Sequence, residues 1–248
     1  MPVTPVELAD CAESIHQSGA SIMHVHVRDE RQGHSLDVGR YRAAIAAIRN
    51  RVGDQLIIQV TSEACGIYTS DQQMSMVREL KPEAVSLALA ELCPDEQSEP
   101  RAAEFYGWLQ DEHIMVQHIL YSVDELQRFA DLRDRGVIAD SRPFALFVLG
   151  RYATDLTGQP EDLDAFVAAA PSDLTWAVCC FGRTESDAAL RAAAAGGHAR
   201  VGFENNLLLP DGGVAADNTA LVRLAAEAGR QEGRPVATAD QVRALLVG

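Results

Sequence analysis

The stretch PVTPVELADCAESIHQSGASIMHVHVRD, residues 2–29, predicts a helix that leads directly into a strand. Thr4 has the properties of an N-cap, a proline follows in the first turn, and Glu7 lies three residues after the cap. These signals predict a helix over residues 5–17. Gly19 suits the left-handed conformation that ends a helix, and the apolar, β-branched segment SIMHVHV follows at once.

The same alternation of helix and strand continues to the end of the sequence. Short apolar segments of strand length alternate with longer segments in which apolar residues recur at helical spacing. The further predicted strands are LIIQVT, AVSLAL, IMVQHILY, FALFVLG, LTWAVCCFG and ARVGFE. Together with SIMHVHV they make seven strands, and two helices are predicted after the last of them.

Strands that alternate with helices form a parallel sheet with helices on its outer face, and this length favours a barrel. We therefore predict an α/β fold, a TIM-type (β/α)8 barrel without its first strand, in one domain over residues 1–248. No GxGxxG motif follows a strand, which argues against a dinucleotide-binding fold. The first strand of a barrel lies between the second and the eighth, so SIMHVHV and ARVGFE should pair directly or leave a gap.

Composition limits the partners that the protein can have. The chain carries 36 acidic and 21 basic residues, and its net charge of −15 opposes binding to nucleic acid or to an anionic membrane. No apolar run reaches the roughly 20 residues that span a bilayer, and the N-terminus does not resemble an export signal. The five cysteines include no CxxC pair, which is typical of reduced thiols. These features predict a soluble, cytoplasmic protein.

Two histidines, His24 and His26, lie two positions apart in a predicted strand, so their side chains share one face. Two adjacent imidazoles supply half of a zinc site, and catalytic zinc usually has three protein ligands and one open position. Glu204 is the best third ligand because it follows an apolar strand, where the catalytic groups of barrels gather. Each of the three also has a structural interpretation, as a hydrogen-bonded histidine or a turn-capping glutamate. His118 and His198 compete as ligands, but neither belongs to a pair.

Several segments, in order over essentially the whole chain, resemble the β-keto acid cleavage enzymes, the family of 3-keto-5-aminohexanoate cleavage enzyme. These segments are GASIMHVHVRD, KPEAVSLAL, FVLG, WAVCCFGR and GGHARVGFENN. The resemblance implies a zinc-dependent (β/α)8 barrel that condenses a β-keto acid with acetyl-CoA and returns acetoacetate and a new acyl-CoA. It implies that His24, His26 and Glu204 hold Zn²⁺, and it suggests a homotetramer or a related homo-oligomer.

The resemblance also implies catalytic roles beside the metal. In the family, an Asp directly after the zinc-binding Glu acts as base, and an Arg four residues before that Glu steadies it. Arg200 matches the Arg, but Asn205 stands in place of the Asp, and a neutral amide does not accept a proton as a carboxylate does. We expect Asn205 to orient substrate or an oxyanion, with another residue or a water as base. Glu63, at a strand end, is one candidate.

Other residues are candidates for contact with substrate. Ser62 and Ser86 fall where the family places substrate-contacting hydroxyls, although an ordinary loop or core serine fits each position as well. Gln117 stands where the family carries an acid, which predicts a changed pocket. Arg28 either binds a substrate carboxylate in bidentate fashion or forms a structural ion pair. Arg183 either faces an anionic part of substrate or CoA, or lies on the surface.

Two alternatives to this function stay open. The same metal platform supports other reactions, such as a zinc-assisted retro-aldol or hydrolytic cleavage of a dicarbonyl compound. A homologue that has lost the usual base could also bind a keto acid with little turnover. Restored cleavage on Asn205→Asp substitution would favour the mechanism of the family.

Overall fold

The structure, a computed structural model, describes residues 1–246. Its strands are β1 Ile22–Val25, β2 Val27–Arg28, β3 His34–Ser35, β4 Ile57–Thr61, β5 Ala84–Ala88, β6 Met115–Leu120, β7 Phe144–Leu149, β8 Thr175–Cys180 and β9 His198–Ala199. Its helices are α1 Pro5–Gln17, α2 Val38–Val52, α3 Ser70–Leu80, α4 Leu89–Leu92, α5 Glu99–Asp111, α6 Val123–Asp134, α7 Leu163–Ala169, α8 Glu185–Ala194, α9 Asn218–Gln231 and α10 Ala239–Leu246.

Within residues 1–246, seven strands form one parallel sheet in the order β1-β4-β5-β6-β7-β8-β9. The sheet curls with helices on its outer face, which confirms the predicted TIM-type architecture with seven strands. β1 and β9 do not pair in this part of the chain, so the predicted gap separates them. Helix α1 packs against α2 and α9. None of the helices that the structure describes is long and apolar enough to cross a bilayer.

Helix α1 begins and ends as its sequence predicts. The Thr4 hydroxyl accepts a hydrogen bond from the Glu7 backbone N–H, and the Glu7 carboxylate accepts one from the Thr4 N–H. This reciprocal pair satisfies N–H groups that have no partner inside the helix. Gly19 has a φ of +110°, a conformation that glycine adopts at low cost, and it turns the chain into β1.

The predicted strand SIMHVHV is wrong as a single element, because it ends at Val25. β2 then pairs antiparallel with β3 in a separate two-stranded sheet. The reversal between them depends on Asp29, whose carboxylate accepts hydrogen bonds from the N–H groups of Arg31 and Gly33. His26 therefore lies between two strands.

The predicted strand ARVGFE is wrong in its second half. β9 contains only two residues, although the Arg200 N–H still donates to the Val178 carbonyl of β8. The chain then turns, because Gly202 adopts a φ of +144° and its carbonyl accepts the N–H groups of both Asn205 and Asn206. Glu204 consequently lies in a turn just beyond the sheet.

The interior of the barrel is closed by α10 at the end where the strands begin. The first residues of four neighbouring strands and two residues of α10 form one buried apolar cluster, Ile57, Ala84, Met115, Phe144, Ala239 and Leu246. Arg243 of α10 donates to the Glu83 carboxylate at 2.7 Å, which fixes the helix beneath the sheet. The opposite end of the interior, where the strands finish, is open to polar side chains.

Candidate metal centre and substrate cavity

Three side chains converge beyond the carboxyl ends of β1 and β9. The Nε2 atoms of His24 and His26 are 3.1 Å apart, and Glu204 Oε2 lies 3.6 Å and 3.4 Å from them. Four ligands around a tetrahedral zinc at roughly 2.1 Å stand about 3.4 Å apart, so these separations fit three corners of a tetrahedron. Among residues 1–246, no other three His, Cys, Asp or Glu side chains meet in this way. The arrangement leaves a fourth corner free for a substrate oxygen.

A buried hydrogen bond orients the first of these imidazoles. His24 Nδ1 lies 2.8 Å from Gln59 Oε1 on the neighbouring strand β4, and we assign the ring proton to that nitrogen. Nε2 then presents its lone pair to the other two ligands. Burial and the nearby positive charge of Arg200 lower the pKa of His24 to about 3, so the ring is neutral at physiological pH. A neutral imidazole with a free Nε2 is the form that binds a metal ion.

The carboxylate of Glu204 is held in place by Arg200, whose Nη2 donates to Glu204 Oε1 at 3.1 Å. Burial raises the pKa of Glu204, but the charge of Arg200 and the two imidazoles outweigh this effect and hold it well below its usual range. Two further nitrogens of Arg200, Nε and Nη1, are buried without a partner in the described part of the chain. They are free to donate to an anionic ligand.

A buried carboxylate fixes the turn that carries Glu204. Glu185, at the start of α8, accepts hydrogen bonds from the Gly202 N–H at 2.9 Å and from the Asn206 side-chain amide at 3.3 Å. Only 2% of Glu185 is exposed, and burial raises its pKa to about 7. Glu185 therefore joins α8 to Gly202 and Asn206, which lie 17 and 21 positions further along the chain. These contacts set the position of Glu204, the third candidate ligand.

A cavity lies beside the three candidate ligands. Its walls come from the carboxyl ends of every strand of the large sheet and from the loops that follow them. The lining residues are His24, Thr61, Glu63, Ser86, Ala88, Ile119, Tyr121, Val148, Arg151, Phe181, Arg200 and Glu204. Enzymes with barrel folds carry their active sites at this end.

Comparison with known proteins shows the family of the chain and agrees with its fold. The family model described as beta-keto acid cleavage enzyme matches residues 1–247. The chain belongs to this family. A relative, the 3-keto-5-aminohexanoate cleavage enzyme of Fusobacterium nucleatum, is 30% identical over 99% of this chain and 90% of that protein. Another, the 3-oxoadipate:acetyl-CoA acetyltransferase of Cupriavidus necator, is 27% identical over 99% of this chain and 87% of that protein.

Solved structures show the same fold. The apo structure of ObcA superposes with a TM-score of 0.76 at 15% sequence identity, over 99% of this chain and 65% of that one. The present chain therefore spans about two thirds of the length of ObcA. The ternary complex of ObcA with a C4-CoA adduct and oxalate has a TM-score of 0.73 at 16% identity. At this level of identity the similarity concerns the fold.

In this member of the β-keto acid cleavage enzyme family, the three predicted metal ligands meet in space. The predicted substrate residues do not all line the cavity. Ser86 lines the cavity, and its buried hydroxyl has no partner in residues 1–246. Gln117, beside it on β6, is buried behind the wall with an unpaired Oε1. Ser62 does not line the cavity; its hydroxyl donates to the Ser86 carbonyl at 3.2 Å, and Thr61 occupies the wall instead.

Three other predicted residues lie away from the cavity lining. The Asn205 amide donates to the Arg200 carbonyl at 3.4 Å, so it contacts the backbone of the arginine that holds Glu204. Arg28 lines a second cleft, between α1, α2 and the hairpin that β2 forms with β3. The exposed Arg183 is also absent from the cavity wall.

The competing histidines also lie away from the cavity. His118 is fully buried on the outer face of β6, between Tyr106 of α5 and Phe129 of α6, and its Nε2 contacts Asp140 at 3.0 Å. His198 is exposed on β9. Neither histidine lines the cavity, and His118 is packed among aromatic rings.

Several residues of the site were not singled out from the sequence. Gln59, which contacts His24, is the only polar residue between the apolar ones of LIIQV, a pattern that marks a side chain with a specific partner inside the barrel. Tyr121, Arg151 and Phe181 each follow a strand by one or two residues, where barrels place functional groups. Position at a strand end was therefore the available signal.

Proposed function

We propose that this protein is a zinc-dependent enzyme that transfers the acyl group of a β-keto acid to CoA, with acetyl-CoA as co-substrate and acetoacetate as the second product. One observation carries the proposal, namely the convergence of His24, His26 and Glu204 at the wall of a cavity in a member of this family. The name of the Cupriavidus necator relative, an acetyl-CoA acetyltransferase acting on 3-oxoadipate, supports the choice of co-substrate.

Zinc held by His24, His26 and Glu204 would supply a Lewis acid for the ketone and carboxylate oxygens of the substrate. Arg200 adds two unpaired N–H donors beside the metal centre, which would bind an anionic oxygen of the substrate or of the attacked thioester. Asn205 would hold the backbone of Arg200 in position through its amide. The hydroxyl of Ser86, which lines the cavity, would contact the middle of the substrate.

Glu63 is the proposed base of this reaction. Two carboxylates line the cavity, Glu63 and Glu204, and the second is assigned to the metal. The neutral Asn205 lies outside the lining, so the cavity offers Glu63 alone as a carboxylate free to take a proton. Arg151 Nη2 lies 3.7 Å from Glu63 Oε1 and would hold the carboxylate at the cavity wall, where it could reach a substrate proton.

The bonds and protons of the proposed reaction balance. Glu63 removes a proton from the carbon between the ketone and the carboxylate, and that carbon attacks the thioester carbonyl of acetyl-CoA and expels the CoA thiolate. The thiolate then attacks the original ketone, and the bond between that carbonyl and the central carbon breaks. The acyl group leaves on CoA, and the central carbon recovers the proton from Glu63 as acetoacetate.

The test is direct detection of both products. Zinc-loaded protein is incubated with a β-keto acid and acetyl-CoA, and acetoacetate and the new acyl-CoA are quantified by mass spectrometry. We expect equal amounts of the two products from the wild type, none from His24→Ala, and wild-type yields from the control His198→Ala. A free acid without acyl-CoA would indicate hydrolysis instead, and no product at all would contradict the proposal.

The location and assembly of the protein remain sequence predictions. We propose that it works in the cytoplasm, where its five free cysteines would stay reduced, and that it forms a homotetramer. Light scattering coupled to size-exclusion chromatography would measure the mass of the assembly against the 26.8 kDa of one chain.

A further inference from the structure

The strand order places the metal centre and the far wall of the cavity on opposite sides of the barrel. His24 comes from β1 and Glu204 follows β9, and these strands are the two ends of the sheet. Strands β5, β6 and β7 lie in the middle of the sheet. A β-keto acid whose oxygens point to the metal therefore directs its acyl tail toward these middle strands.

The middle strands and the loops after them present mainly apolar side chains to the cavity, together with the hydroxyl groups of Ser86 and Tyr121. Ala88, Ile119 and Val148 come from β5, β6 and β7, and Phe181 follows β8. The first three are between 4% and 8% exposed and belong to the apolar cluster that fills the barrel interior. A charged group placed against this surface would lose its hydration without gaining a partner.

The charged residues of the cavity wall outside the metal centre neutralise each other. Apart from the residues of the metal centre, the described lining contains one anion, Glu63, and one cation, Arg151, which lie 3.7 Å apart. The Arg151 guanidinium also lies 5.7 Å from the centre of the Phe181 ring, so it is held against the wall. Neither charge is left unpaired to bind an oppositely charged tail.

We propose that the acyl tail of the substrate is uncharged and apolar, an inference that rests on the proposed function. Ala88, Ile119, Val148 and Phe181 would contact its carbon atoms. The discriminating feature is the absence of an unpaired charge from the described wall beyond the metal centre.

Three matched β-keto acids test this inference by binding, without acetyl-CoA, so that the result does not depend on turnover. 3-Oxohexanoate has a propyl tail, 5-amino-3-oxohexanoate adds one ammonium group, and 3-oxoadipate replaces the terminal methyl by a carboxylate. Isothermal titration calorimetry of the zinc-loaded protein should give a Kd for 3-oxohexanoate at least about tenfold below those of the other two. Tighter binding of either charged acid, or no binding of any of the three, would overturn the inference.

A variant of the ion pair sharpens the test. Arg151→Met leaves the charge of Glu63 uncompensated, so the Kd of 5-amino-3-oxohexanoate should fall by about tenfold relative to the wild type. The exposed, cavity-distant control Arg183→Met should leave all three Kd values unchanged. An unchanged Kd in Arg151→Met would contradict the role of the pair.

The two proposals fail in distinguishable ways. If the binding order holds but no acetoacetate forms when acetyl-CoA is added, the apolar tail is supported and the transfer reaction is wrong. If acetoacetate forms most rapidly from 3-oxoadipate or 5-amino-3-oxohexanoate, the reaction is supported and the apolar tail is wrong.

Discussion

The two ends of the barrel interior solve opposite problems. Where the strands begin, Phe144 of β7 and Leu246 of α10 belong to one buried apolar cluster, and α10 closes this end of the interior. Where the strands finish, buried polar atoms lack partners among the described residues, namely Gln59 Nε2, Ser86 Oγ, Gln117 Oε1 and two nitrogens of Arg200. Buried polar groups normally have partners, and each orphan costs free energy. The first end therefore stabilises the fold, and the second is built for a ligand that the chain does not supply.

Loss of a metal ligand should have the largest effect on activity. Because the ligands lie at the polar end of the barrel, this loss should leave the apolar end unchanged. Glu204→Ala should lower kcat/KM for acyl transfer by about a thousandfold, because several kcal/mol of Lewis-acid stabilisation disappear. Product quantification by mass spectrometry gives the rate. Glu232→Ala, an exposed carboxylate elsewhere, is the matched control. An active Glu204→Ala would remove the metal centre from the mechanism.

Loss of the proposed base should have the next largest effect. Glu63→Gln keeps the size of the side chain but cannot take the proton, so kcat should fall by about 10² to 10⁴ with zinc content unchanged. Asn205→Asp should change kcat by less than about threefold, because that residue lies outside the cavity lining. A strong gain of activity in Asn205→Asp together with an active Glu63→Gln would contradict the assignment of Glu63.

The apolar end should respond through stability. Phe144 is 4% exposed, and Phe144→Ala should lower the free energy of unfolding by about 3–5 kcal/mol. At the polar end, Ser86→Ala should change that free energy by less than about 1 kcal/mol, because its hydroxyl has no partner to lose. Urea unfolding of both variants measures the contrast. A larger loss of unfolding free energy in Ser86→Ala than in Phe144→Ala would contradict the assignment of stability to the apolar end.

Glu185 should make stability depend on pH. Burial raises its pKa from 4.5 to about 7, so the folded protein holds a proton that the unfolded chain has released between these values. The contribution of this carboxyl to the free energy of unfolding is therefore present below pH 4.5 and is lost as pH rises to 7, by up to about 3 kcal/mol.

The variant Glu185→Gln removes this titration. Its stability relative to the wild type should increase between pH 5 and pH 8, as measured by urea unfolding at both values. The comparison with wild type at each pH cancels the contributions of other titrating groups. A stability difference that is the same at both pH values would show that Glu185 does not titrate in this range.

Local signals in the sequence were sufficient for most elements and for the three side chains of the candidate metal centre. The cap of α1 is formed by residues within three positions of each other, so Thr4 and Glu7 could be identified directly. The two histidines were found because residues at i and i+2 share a face, and Glu204 was found because it follows a strand.

The remaining features depend on contacts between distant parts of the chain. The turn of Glu204 is fixed by Glu185, which lies in the preceding helix, so the strand predicted from the local pattern was too long. Whether Thr61 or Ser62 faces the cavity depends on a register shift of one residue, which composition does not reveal. The partnership of Arg151 with Glu63 depends on loops after β7 and β4, which the barrel brings together.

Elemental analysis of the purified protein tests the central claim most directly. Zinc content is measured by mass spectrometry for the wild type, His26→Ala and Glu204→Ala after all three are supplied with zinc and dialysed. We predict about one zinc per wild-type chain and a large loss in both variants. A wild type without bound metal, or variants that retain it, would contradict the metal centre and with it the proposed reaction.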